Sequence, residues 1–216
     1  MKAIGGIGNG VFEIAQDLAG YTGLCLMRAD DPQLYADLFA RAGEVLLELW
    51  ERLLAHHGEA FAVCRFGDDL GFKSSTLLSP DDVRARILPQ YKRIVQRVHA
   101  CGKPFLLHSC GCIFDVLEDL ITGAGIDAKH SNEDQIAPFQ EWVERYGDRI
   151  GNFGGIDLNE LCLHDERAIR SYVLNVIHRS EGHGGIAIGS GNLIPGYVPA
   201  AGYLAMINAV REYREA

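Results

Sequence analysis

The sharpest chemistry in the sequence lies in one short run, His108-Ser109-Cys110-Gly111-Cys112. Residues two apart on an extended chain point to the same side, so His108 and Cys110 can face a single interior point. An imidazole and a thiolate are ligands that Zn²⁺ prefers, and a catalytic zinc uses three protein ligands with one position left open. Spacing does not give the third ligand. Cys64, at the end of a neighbouring strand, is one candidate; Cys112, Asp68 and Asp69 are others, and Ser190 is a poorer one. The alternative is a buried histidine with packing cysteines around it.

Other polar residues collect at the ends of apolar runs. Asp68 and Asp69 form either a general acid/base pair, since two close carboxylates push their pKa values apart, or metal ligands, or a turn or helix cap. Lys129 and His130 end a strand and suit an anionic substrate; for Lys129 the plain alternative is surface exposure. Asp157 follows Gly154-Gly155, which lets backbone approach a ligand, yet an Asp before Leu-Asn-Glu is also a fair helix N-cap. Gly189-Ser190-Gly191-Asn192 reads as an anion-binding turn or a simple tight turn. Asp68, Asp69, His130 and Asp157 are thus the catalytic candidates, and Asn9, Lys129, Ser190 and Asn192 the substrate-binding ones. His108 and Cys110, joined by Cys64 or Cys112, are the metal candidates.

The elements that must position these residues alternate. Ala3 to Ile7, Phe61 to Cys64, Pro104 to His108, Ile126 to His130, Ile150 to Phe153 and Gly185 to Ile188 read as strands. Between them lie helical stretches: Pro32 to His57, with Leu34, Leu38, Val45, Leu46 and Leu49 on one side; Ser79 to about Ala100; and Ile113 to Ile121. Further on come Ala137 to Tyr146, Glu166 to Arg179 and Pro199 to Tyr213. Ser79-Pro80-Asp81-Asp82 is a strong helix start, and Pro89 is expected to kink that helix. Strict βα alternation with apolar strands predicts one α/β domain over residues 1–216, a parallel sheet with helices outside. In a β/α barrel the site is built at the C-terminal ends of the strands, where the polar candidates fall.

Composition narrows the function classes. With 20 Lys and Arg against 29 Asp and Glu, the chain carries a formal charge of −9, a poor match to nucleic acid or an anionic membrane surface. No apolar run approaches a membrane span and no signal peptide opens the sequence, so a cytoplasmic protein with reduced thiols is expected.

Several motifs together resemble the uroporphyrinogen decarboxylase superfamily: His108 to Gly111, Asp127 to Asp134, Tyr146 to Ile150, Gly154 to Asp157, and Gly189 to Asn192 with Pro195 and Pro199. That superfamily contains the decarboxylases of haem biosynthesis and cobalamin-dependent methyltransferases, among them methylcobalamin:coenzyme M methyltransferases. The resemblance runs from Gly5 to Tyr213 and implies a (β/α)8 barrel of TIM type. In the methyltransferase branch an H-x-C pair and a distant Cys hold a zinc that activates a thiol toward methylcobalamin. His108 and Cys110 match the pair; Ser190 stands where the distant Cys is expected, so Cys64 or Cys112 would have to substitute. The decarboxylase branch fits less well. Its last-turn His is also replaced by Ser190, no tyrosine lies near Phe12 to Asp17, and its carboxylate-gripping arginines fall before this chain begins. Asp68-Asp69 occupies roughly its Phe-Asp-Ser loop.

The resemblance therefore favours a zinc-dependent corrinoid methyltransferase acting on a small molecule, with decarboxylation as the alternative. A corrinoid protein is the expected partner. Against a typical barrel of about 250 residues, six strands imply that the first two βα units are lacking. The third reading is accordingly a partial barrel that works with a partner or as a homo-oligomer, because an open strand edge favours association.

Overall fold

The computed structural model describes residues 1–215, and the chain divides into two compact units, Met1–Asp127 and Ala128–Ala216. In the first, β1 (Ala3–Gly5) leads to α1 (Val11–Ala19), α2 (Tyr21–Asp30) and the long α3 (Pro32–His57). Next come β2 (Phe61–Gly67), α4 (Pro80–Asp82), α5 (Leu88–Ala100), β3 (Phe105–His108) and α6 (Phe114–Asp119). The strand order is β1-β2-β3, all parallel, with Cys64 opposite Phe105 and Gly67 opposite His108. Phe66 packs edge-on against Tyr91 and Phe105, each at 4.9 Å between centroids, and Trp50 closes the cluster. These buried rings fix β2 and β3 against α3 and α5.

Helix α3 starts as its sequence dictates. Asp31 accepts the Leu34 N–H at 2.9 Å, and Pro32 occupies the first turn, where its missing N–H costs nothing. Its buried face differs from the aliphatic one read from the sequence. Tyr35, Phe39, Ala42, Leu46, Trp50 and Leu54 are buried, whereas Leu34, Val45 and Leu49 are exposed. The aromatic residues Tyr35, Phe39 and Trp50, spaced four and eleven apart and so on one helical face, win the core because each removes more apolar area from water than a leucine does.

Helices α1 and α2 carry no start signal in the sequence. Gly10 precedes α1 without a side-chain cap; the first-turn N–H groups of Phe12 and Glu13 donate instead to Asp68, more than fifty residues away. Ser79 does cap the next helix, accepting the Asp82 N–H. The kink expected at Pro89 takes the form of a widened π-type turn over Val83–Ile87, which absorbs the hydrogen bond that Pro89 cannot donate.

The second unit carries β4 (Ala128–His130), α7 (Phe139–Tyr146), β5 (Gly151–Ile156), α8 (Leu158–Leu163), α9 (Glu166–Ser180), β6 (Ile186–Ser190) and α10 (Ala200–Glu215). Strands β4, β5 and β6 pair in that order, again parallel. Phe139, Val143, Ile156, Leu161, Val173 and Met206 form the centre of its core. Strand β5 runs three residues beyond the expected stretch because Gly154 and Gly155, both at positive φ, keep pairing with β6. Among the described residues no helix is long and apolar enough to cross a membrane.

Candidate metal centre

The loops after β2 and β3 are zipped together. Asp68 N donates to His108 O at 2.8 Å, Gly71 N to Cys110 O at 3.1 Å, and Cys112 N to Phe72 O at 2.6 Å. Two side chains join in: Ser109 Oγ accepts from Leu70 N at 3.1 Å, and Asp69 Oδ1 accepts from Cys110 N at 2.9 Å. The loops touch backbone to backbone at two glycines. A Cβ on Gly111, whose φ is +82°, would sit 2.1 Å from the carbonyl carbon of Gly71.

This zipper brings three ligand types to one point. Asp69, His108 and Cys110 each offer an atom, and the three lie within 4.8 Å of one another. His108 Nε2 stands 3.5 Å from Cys110 Sγ and 3.8 Å from Asp69 Oδ1. A tetrahedral zinc with ordinary bond lengths needs about 3.5 Å between nitrogen and sulfur and about 3.4 Å between nitrogen and oxygen. The two pairs that share His108 therefore fit a zinc ion with shifts of a few tenths of an ångström, and the Cys110 sulfur and the Asp69 carboxylate lie within 4.8 Å of each other. His108 and Asp69 both keep some exposure to solvent.

The other sequence candidates separate. Asp68 is fully buried; beyond the two α1 amides it accepts the Tyr91 hydroxyl at 2.5 Å. Burial raises its carboxyl to about 7, against the pull of those three donors. It is thus the cap of α1, not half of a carboxylate pair with Asp69. Cys64 lies opposite Phe105, at the far end of β3 from His108, and burial pushes its thiol up. Neither Cys64 nor Cys112 belongs to the three-ligand group. Asn9 bridges Gly67 and donates to Asp17 at 3.3 Å. Glu13, which no sequence motif singles out, stands beside Asp69 and accepts its N–H; burial and then the Asp69 charge raise its carboxyl. Only knowledge that α1 begins against the β2 loop could have found it.

In the second unit Lys129 is buried, not surface-exposed; its Nζ lies 3.8 Å from the Trp142 ring centroid and donates to Ser131 O. That ammonium is engaged within the protein instead of waiting for an anion. His130 Nε2 donates to Ser190 O at 3.1 Å, and Ser190 Oγ donates to Asn192 O at 2.7 Å. Asp157 caps α8 through Asn159 N and also accepts Asp134 N, both at 2.8 Å.

No curated protein is significantly similar to the chain in sequence. Among solved structures, a methyltransferase from Methanosarcina mazei superposes with a TM-score of 0.78 at 20% identity, covering 99% of this chain and 59% of that one. This chain thus spans about three-fifths of that methyltransferase. The likeness shows the fold, a partial β/α barrel of the (β/α)8 type. A structure from Coccidioides immitis described as a fructose-1,6-biphosphate aldolase aligns over 99% of this chain and 89% of its own, but its TM-score of 0.42 and 14% identity carry no argument. The family model for uroporphyrinogen decarboxylase (URO-D) matches residues 2–213, nearly the entire sequence. The chain belongs to the uroporphyrinogen decarboxylase family.

Proposed function

We propose that this chain acts in methyl transfer between a corrinoid, such as methylcobalamin, and a small acceptor, with zinc held by Asp69, His108 and Cys110. The observation that carries this reading is the convergence of those three ligand atoms within 4.8 Å. The fold shared with the M. mazei methyltransferase supports it. Bound there, Zn²⁺ would supply the Lewis acidity that keeps an acceptor thiol deprotonated at neutral pH.

The chain's own residues do the positioning. Cys110 offers the single sulfur and His108 the nitrogen, from the end of β3 and the turn after it. Asp69 offers a hard oxygen and also holds the Cys110 amide, so it fixes the sulfur's backbone. Three protein ligands leave one tetrahedral position for the acceptor. Asp69 in place of a second thiolate keeps two anionic ligands but makes the set harder. The partners we propose are a corrinoid protein as methyl donor and a homo-oligomeric assembly, since β1 and β6 each pair with one neighbouring strand.

The purified chain, loaded with Zn²⁺ and mixed with methylcobalamin and a panel of small thiols, tests the reading. Thiol-dependent loss of the methylcobalamin spectrum, abolished by His108→Ala, is expected. No demethylation with any thiol, together with carboxyl loss from uroporphyrinogen, would replace it with the decarboxylase reading.

A further inference from the structure

The second unit holds a cavity of about 410 Å³ among α9, β6 and α10. A void of that size takes a small molecule. Its walls are aliphatic: Ile177 comes from α9, Ile186 and Ile188 from β6, and Val210 from α10. Glu181 and Arg214 line the same cavity, and among the described residues no ion pair joins these two opposite charges.

Glu181 is held in place. Its Oε1 accepts the Tyr213 hydroxyl at 2.7 Å and meets His178 Nδ1 at 3.0 Å, and the two contacts keep the carboxyl below its usual range. His183, the other basic group on the cavity, has its Nδ1 3.5 Å from Asp148. Arg214 is therefore the permanent cation of the wall, since a guanidinium does not deprotonate.

Strand β6 adds polar groups from its backbone. Asn152 N donates to Gly185 O at 2.9 Å and Gly191 N to Ile156 O at 2.6 Å, so the odd-numbered residues of β6 turn to β5. Alternate residues of a parallel strand direct their N–H and C=O groups to opposite edges. Ile186 and Ile188 thus turn theirs to the other edge, where among the described residues no strand pairs with β6.

We propose that this cavity binds a free aliphatic α-amino acid, its ammonium on Glu181, its carboxylate on Arg214 and its side chain against Ile177, Ile186, Ile188 and Val210. The edge N–H and C=O groups of β6 offer the same two head groups a donor and an acceptor. A fatty acid is repelled by Glu181 and an alkylamine by Arg214, whereas a zwitterion satisfies both charges. The cavity shares no residue with the candidate metal centre, so the inference stands or falls apart from the metal reading.

L-Leucine is the probe, titrated into the ¹⁵N-labelled full chain while the amide spectrum is followed. Two analogues are titrated separately: 4-methylpentanoate, which lacks the ammonium, and 3-methylbutylamine, which lacks the carboxylate. Leucine is expected to shift the Ile186, Ile188 and Arg214 amides saturably. It should bind at least about tenfold tighter than either analogue, one charged contact's worth of affinity. Glu181→Gln keeps an acceptor for Tyr213; it should weaken leucine about tenfold and leave 4-methylpentanoate no weaker. Arg214→Gln should weaken leucine as much and leave 3-methylbutylamine no weaker. No saturable shift in the folded wild-type chain would overturn the proposal. So would an analogue that binds as tightly as leucine, or a leucine affinity that either variant leaves unchanged.

Discussion

Asp69 accepts the backbone N–H of Cys110 at 2.9 Å while its carboxylate lies 3.8 Å from His108 Nε2. One side chain from the loop after β2 thereby sets both the path of the next loop and the third corner of the candidate metal site. The arrangement depends on the close approach of Gly71 and Gly111, so Gly111→Ala should damage the site without touching a ligand. The added Cβ would collide with Gly71 at 2.1 Å and impose a positive φ on a residue with a side chain. Zinc affinity, measured by competition with a chromophoric chelator, should fall by at least about tenfold, as for changes that displace supporting partners of a metal site. Stability should fall by roughly 1–3 kcal/mol.

Asp68 makes a different prediction from its neighbour. Asp68→Ala would strand the N–H groups of Phe12 and Glu13 and the Tyr91 hydroxyl in the interior. Urea unfolding should show a loss of roughly 3 kcal/mol or more, because several buried donors lose their acceptor together. Tyr91→Phe removes one donor and should cost about 1 kcal/mol. Equal small losses in both variants would contradict the capping role.

How far the sequence discloses all this depends on how local each signal is. The βα alternation, the Ser79 cap and the H-x-C pair are local, and the structure reproduces them. The start of α1 is not, because its cap arrives from Asp68, far along the chain. The buried face of α3 escapes the sequence for a related reason: Trp50 outcompetes the leucines only once β3 supplies the Phe105 ring to pack against, while Tyr35 and Phe39 pack on each other in the core. Asp69 is visible as one of several third-ligand candidates, but choosing it over Cys64 requires the register that sets Cys64 opposite Phe105. Lys129 reads as a surface cation because nothing near it in sequence announces that Trp142 folds over it.

Burial raises the Asp134 carboxyl above its usual 3.8; the Tyr172 hydroxyl opposes this, and the Asp157 and Glu160 charges add to it. The folded state therefore holds that proton to higher pH than the unfolded chain does. This group's contribution to stability is full below the ordinary carboxylate range and is lost as pH rises through the raised value. Asp134→Asn removes the titration, so its stability relative to wild type should climb as pH rises above about 4, by less than about 1.4 kcal/mol per pH unit. Chemical unfolding of both proteins at each pH measures this, and a falling difference would contradict it.

Zinc stoichiometry tests the central claim most directly. The chain, equilibrated with Zn²⁺ and freed of excess by gel filtration, should retain about one ion per molecule by elemental analysis, as a preformed three-ligand site does. His108→Ala and Cys110→Ala should each retain almost none, Asp69→Ala should bind at least about tenfold more weakly, and Cys64→Ser and Cys112→Ser should bind as wild type does. Zinc content unaffected by His108→Ala and Cys110→Ala, or lost on Cys64→Ser, would contradict the account.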